Sequence, residues 1–329
     1  MKCINKRFVR VCSLLLVCSL CTISGTGCGE NRLEDAFEAD LPGIGIQTSE
    51  ESSKIPYFAS NLCVTDVDVQ DIEADTEDAL AACFFNLDEK KVLYAKNIHE
   101  RMYPASTTKI MTALVALDKG DLDAQTTVSK EAITFSESGV STAKLKEGDV
   151  LTLRQLLYAL LTVSANDAAN VIAEQIAGSQ DAFVEMMNQE AQKIGATNTH
   201  FVNANGLHSE DHYTTVYDLY LMFNAAMQHE EFLQMLQEKE YQTSYQAADG
   251  TTVEAVWSTT NQFTKGDVTV PDGVTAVGGK TGTTTAAMSC LVQLFEDAQG
   301  EQYVAIILGC KERGILYQEM QTFLSNLNN

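Results

Sequence analysis

A hydroxyl and an amine one helical turn apart are the smallest set that can run nucleophilic catalysis. Ser106 and Lys109 are such a pair. Pro104 stands just ahead of a run of good helix formers, which suits a helix start. Ile110, Met111, Leu114, Val115 and Leu117 give that helix an apolar face to bury. The three-residue spacing puts both functional side chains on one face. Lys109 can take the Ser106 proton only when neutral, a state favoured by burial and by a second positive charge nearby. Unpaired backbone N–H groups at the helix start can help hold a developing oxyanion. Ser-x-x-Lys is common by chance. The chain holds a second copy, Ser141-Thr142-Ala143-Lys144, between Gly139 and Gly148 with no apolar helix behind it. Context therefore favours Ser106.

Two further triplets strengthen the case. Ser164-Ala165-Asn166 falls between two helical patterns, where a loop can present side chains to a cleft. Lys280-Thr281-Gly282 follows Gly278-Gly279 at the end of a strand pattern, where glycines let a ligand backbone come close. Each triplet is weak alone; three in this order and setting are a strong signal. His208 and His212 have a metal-like spacing but lack a flanking Glu, so they are read as a surface turn. Asp118, Asp123 and Asp167 are read as helix-end and surface charges, and Trp257 as core. No metal or cofactor is expected.

These residues need a scaffold, and the periodicities supply one. Residues 81–86 and 92–96 read as a hairpin around Asp88-Glu89-Lys90. Thr152 and Gln155 form a capping box ahead of a helix over 153–162. Helices follow over 166–177, stopping at Gly178, then from Ser179 to Gly195, and over 214–228. After about 238 the period alternates, with strands over 251–257, 275–278, 289–295 and 303–309, and a closing helix over 313–327. Strands at both ends with helices between predict an α+β fold. The expected form is a mainly antiparallel sheet flanked by helices, plus an all-helical subdomain that carries Ser164.

The 329 residues are ample for a real core, and a net charge of −23 argues against nucleic acid and against an electrostatic grip on anionic membranes. Residues 1–28 have the layout of a secretory signal: Lys2, Lys6, Arg7 and Arg10, an apolar run over 11–23, then small residues before Cys28. Export is expected, with a membrane tether at Cys28 as for a lipoprotein, ordinary cleavage, or an uncleaved anchor as the alternatives for the leader. Residues 29–79 read as an acidic flexible tether, and 80–329 as the catalytic domain. Cys63, Cys83, Cys290 and Cys310 remain in the body. Four cysteines allow three pairings, but buried free thiols are expected for at least Cys290 and Cys310.

The chain resembles the D-alanyl-D-alanine carboxypeptidases, the low-molecular-weight penicillin-binding proteins of the S11 type with a β-lactamase/transpeptidase-like fold. The resemblance rests on Val92-Leu93-Tyr94-Ala95-Lys96-Asn97, Pro104-Ala105-Ser106-Thr107-Thr108-Lys109 and Ser164-Ala165-Asn166-Asp167-Ala168. Phe201-Val202-Asn203-Ala204-Asn205-Gly206-Leu207, and Lys280-Thr281-Gly282 followed by Cys290, extend it over roughly residues 80–312. It implies that Ser106 attacks the bond between two terminal D-alanines of a peptidoglycan stem peptide, with Lys109 accepting its proton. Ser164 would relay a proton to the leaving D-alanine, and Asn166 would position Lys109 and the substrate amide. Lys280 and Thr281, with Gly282 and Thr283, would hold the terminal carboxylate. The backbone N–H groups of Ser106 and Thr283 would form the oxyanion hole. β-Lactams would acylate Ser106, and the enzyme would work outside the cytoplasm. Ala165 and Glu89-Lys90 depart from the pattern, and too little chain follows Gly282 for the extra C-terminal β-domain of many relatives. A β-lactamase is the alternative, but residues 170–240 hold no Glu-x-x-Leu-Asn motif. A D-alanyl endopeptidase and a non-catalytic wall-binding protein on the same fold are the others.

Overall fold

The computed structural model describes residues 59–327, and the leader and most of the expected tether lie outside them. The central layer is a six-stranded sheet. Its strands are β1 (Val69–Gln70), β2 (Ala81–Asn86), β3 (Lys91–Lys96), β8 (Thr275–Thr284), β9 (Met288–Glu296) and β10 (Gln302–Cys310), in the order β1-β3-β2-β10-β9-β8. Every pairing in it is antiparallel. β2, β9 and β10 are nearly or wholly buried along their length because both faces are covered, so they read as unbroken apolar runs. Alternation survives in what each residue touches. Cys83, Phe85, Val304, Ile306 and Leu308 face one core, while Ala82, Phe84, Ala305 and Ile307 face the other. The second core is closed by α7 (Arg313–Leu324) through Leu316, Tyr317, Met320 and Phe323.

The first core joins the sheet to the helices. A single 3₁₀ turn, Ala105–Thr108, runs into α1 (Lys109–Lys119), buried from Lys109 to Ala116. Around α1 pack α2 (Leu153–Leu161), α3 (Asn166–Ala177), α4 (Gln180–Lys193) and α5 (Val216–Ala226). Their ends are written locally. The Thr152–Gln155 capping box is formed, Ser179 caps α4, and Gly178 closes α3 in the left-handed conformation. A four-stranded sheet of β4 (Gln125–Thr127), β5 (Val150–Thr152), β6 (Glu240–Gln246) and β7 (Thr252–Ser258) flanks the helices. Trp257 is buried there against Tyr241. The α+β class with an antiparallel sheet and a helical half is the one expected.

Several features differ from the sequence reading. Helix α6 (Glu230–Gln237) was not anticipated, and nor was β6. β8 does not stop at Gly278 but runs through the Lys280 triplet to Thr284. The tether ends earlier than residue 79. Cys63 is fully buried, with its N–H on the Tyr220 hydroxyl at 2.9 Å, and β1 pairs with β3. The Glu89-Lys90 turn works without glycine because Lys90 itself takes a φ of +57°, while Asn86 Oδ1 accepts the Asp88 and Glu89 amides. All four described cysteines are buried free thiols.

Candidate active site

Ser106 sits half-buried in the 3₁₀ turn, and the turn is tied by its own threonines. Thr107 Oγ1 donates to the Pro104 carbonyl at 2.7 Å and Thr108 Oγ1 to the Ala105 carbonyl at 2.8 Å. Ala105 takes a φ of +48°, a conformation that non-glycine residues adopt only when their surroundings impose it. Lys109 opens α1 with no exposed surface, and its Nζ lies 3.0 Å from Ser106 Oγ. Asn166 Oδ1 takes a hydrogen from the same nitrogen at 2.6 Å, and the main-chain carbonyl of Asn205 takes another.

That arrangement decides the direction of the amine. A neutral amine has two hydrogens and one lone pair. Asn166 Oδ1 and Asn205 O can only accept, so they engage both hydrogens. The lone pair is then left for the Ser106 hydroxyl. Burial holds Lys109 well below the usual ammonium range, the charge of Lys280 pushes the same way, and Asp167 opposes.

Lys280 lies fully buried on β8, its Nζ 3.0 Å from Ser164 Oγ and 2.9 Å from the Thr281 carbonyl. Burial lowers it to about 7. Thr281 Oγ1 is 2.6 Å from Thr260 Oγ1. Two links close the cluster. Asn166 follows Ser164 by two residues and holds Lys109. Gly282 follows Lys280 by two, and its backbone abuts the Ser106 turn so tightly that a Cβ there would lie 2.9 Å from Pro104 O and 3.0 Å from Ser106 N. Thr283 comes next on the same strand, its hydroxyl donating to the Gly282 carbonyl at 2.7 Å. The expected residues thus form one cluster between the sheet and the helices.

A family model for D-alanyl-D-alanine carboxypeptidases, the S11 peptidases, matches residues 68–312. The chain belongs to that family. It is 39% identical over 156 residues to DacF of Bacillus subtilis, covering 46% of this chain and 40% of that protein. It is 32% identical over 267 residues to DacC of Escherichia coli, covering 78% and 62%. The chain therefore spans less than two thirds of the length of these two curated relatives. The solved structure of the Streptomyces K15 DD-transpeptidase superposes with a TM-score of 0.71 at 28% identity, over 77% of this chain and 98% of that one.

Several members of the cluster's surroundings escaped the sequence reading. Asn205 contributes a backbone carbonyl, which no side-chain motif announces. Its own Nδ2 donates to Asn170 Oδ1 at 3.0 Å, and Asn203 Oδ1 accepts the Gly206 amide at 2.7 Å. Asx residues around a glycine were the available signal. Two readings need correction. Asp167 is not a surface charge: it is 1% exposed and accepts amides from Ala143, Leu145 and Ala168. His212 is not on a surface turn but 2% exposed. Its Nδ1 accepts the Val202 amide at 3.1 Å, so Nε2 carries the hydrogen toward Thr108 Oγ1 at 2.8 Å. Burial pulls this imidazole down to about 3, so it stays neutral and buttresses the Ser106 turn. Asp123 and Asp118 are on the surface as expected, Asp123 paired with Arg154 and Asp118 lying against His229. Among the described residues no group of three His, Cys, Asp or Glu is placed to hold a metal ion.

Proposed function

We propose that this chain is a serine-type D-alanyl-D-alanine carboxypeptidase that trims the terminal D-alanine from peptidoglycan stem peptides and is acylated by β-lactams. The observation that carries the reading is the 3.0 Å approach of a buried Lys109 amine to Ser106, with both amine hydrogens engaged elsewhere. Ser106 Oγ loses its proton to Lys109 and attacks the carbonyl. The Ser106 and Thr283 amides hold the oxyanion. Lys280, Thr281 and Thr283 hold the terminal carboxylate. Ser164 accepts from Lys280, so its own proton is free for the leaving nitrogen. The C–N bond breaks, and D-alanine departs. Once Lys109 has shed its proton, water cleaves the ester. An amine in place of water would give transpeptidation, the activity named for the Streptomyces relative.

The basic, apolar leader supports export, and Cys28 supports a lipid tether, so the enzyme would act outside the cytoplasm. No described helix is long and apolar enough to cross a membrane.

Intact-protein mass against time after adding a penicillin, for wild type and Ser106→Ala, tests the assignment. A long-lived adduct in wild type alone is expected. An adduct that vanishes within seconds while drug is consumed would make the protein a β-lactamase; no adduct would leave a non-catalytic wall binder.

The lysines also predict a bell-shaped kcat/KM. Lys109 must be neutral, so the rate rises as pH climbs through its lowered pKa. Lys280 must be charged to capture a carboxylate, so capture falls above pH of about 7. A bound carboxylate favours charged Lys280 and moves the alkaline limb of kcat to higher pH. Coincident alkaline limbs for kcat and kcat/KM would remove Lys280 from carboxylate capture.

A further inference from the structure

We propose that residues 141–145, which begin with the second Ser-x-x-Lys of the sequence, are a strap that positions Ser164, clipped through Ser141 and anchored on Asp167. The inference rests on reading Ser164 as the proton donor to the leaving group. Ser164 has a φ of +60°, left-handed for a residue with a side chain. Such a conformation persists only where neighbours over-determine it. Here the neighbours are the strap. Before Ser164, the Val163 carbonyl accepts Ser141 Oγ at 2.6 Å. After it, the Asn166 amide donates to Ser141 O at 2.8 Å. One residue further, the two oxygens of Asp167 take the Ala143 amide at 2.9 Å and the Leu145 amide at 3.1 Å. The Ser164 turn is therefore gripped on both sides by one short segment. Asp167 lies in the first turn of α3, where a carboxylate is favoured, and its burial leaves its oxygens to the strap and to the Ala168 amide.

The strap's effect should depend on the leaving group. When a peptide bond breaks, the leaving nitrogen takes a proton from Ser164 Oγ, and Ser164 takes one from Lys280 Nζ. When a thioester breaks, the thiolate leaves without a proton. A shifted Ser164 thus slows the first reaction and spares the second. Both substrates give the same acyl-enzyme, so kcat/KM isolates acylation.

The experiment compares an acyl-D-alanyl-D-alanine peptide with the thioglycolate thioester of the same acyl-D-alanine, on full-length protein normalised by penicillin titration. The variants are Ser141→Ala, Ser141→Thr, Asp167→Asn and Ser164→Ala. Asp167→Asn keeps the shape but leaves one acceptor oxygen for two strap amides. Ser141→Ala and Asp167→Asn are expected to lower peptide kcat/KM about tenfold, a part of what a general acid supplies. Thioester kcat/KM should stay within about twofold, and Ser141→Thr should restore the peptide rate. Equal losses on both substrates, or no loss, overturn the strap. If Ser164→Ala itself fails to separate the two substrates, the relay reading of Ser164 falls instead, and the strap's proposed purpose with it.

Discussion

Lys109→Ala is expected to abolish acylation by penicillin, with a loss of about a thousandfold or more in the second-order rate, since a positioned general base contributes roughly 10²–10⁴-fold. The other buried lysine, Lys280, is aimed elsewhere: its nitrogen is bonded to Ser164 Oγ and the Thr281 carbonyl. His212 is neutral but already committed, its Nδ1 to the Val202 amide and its Nε2 to Thr108. Neither can take the Ser106 proton without breaking existing bonds. Folding should survive. The substitution orphans two acceptors, Asn166 Oδ1 and Asn205 O, but it also removes a buried amine that must be stripped of its proton and its water on folding. The residual rate should lose the acid limb of its pH profile, because that limb reports Lys109. Stopped labelling by mass, beside a melting curve, reads both quantities. Labelling at the wild-type rate would dismiss Lys109 as the base.

Much of this site was legible because its chemistry lies in short spacings. Ser106 and Lys109 are one turn apart, and Ser164 and Asn166 straddle one helix start. Lys280 to Thr283 lie on one strand. The helical ends were legible for the same reason, as with Thr152 and Gln155. What stayed hidden depends on distant partners. Residues 59–79 have the composition of a disordered segment, yet Tyr220 and β3 hold them, and composition carries no record of such partners. β8 was cut short because Gly278 and Gly279 look like strand breakers. They are there because Gly278 packs on Leu236 and Gly279 on Gln293, with no room for a side chain. Asp167 was misread because a carboxylate at a helix start is usually a solvated charge. Its two strap amides lie 22 and 24 residues away in sequence. The segment dismissed as a chance match to Ser-x-x-Lys proved to be the one that grips the Ser164 turn.

Gly206→Ala should be the most damaging single methyl that the cleft can receive. Gly206 has a φ of +84°, and a Cβ there would run into the Ala105 carbonyl and come within 3.0 Å of the Ser106 amide nitrogen. Both atoms are backbone, so no side chain can swing aside. The left-handed conformation and the overlap together should cost about 3 kcal/mol or more. For a body of this size that lowers Tm by roughly 6–10 °C. Position makes the damage functional as well. Gly206 follows Asn205, whose carbonyl holds Lys109, and it presses on Ala105, which precedes the nucleophile. Relieving the overlap must move one or the other: retreat of the 203–207 loop withdraws a Lys109 acceptor, and retreat of Ala105 displaces Ser106 and its oxyanion amide. Penicillin acylation should therefore fall by at least about tenfold below the melting transition, because small misplacements of reacting groups cost rate steeply. Gly178→Ala is the matched control, since it shares a left-handed φ of +78° but has open space around it. It should lose stability without losing acylation rate. If the two variants lower Tm alike and both acylate normally, the close approach of Gly206 to the nucleophile turn has no catalytic consequence.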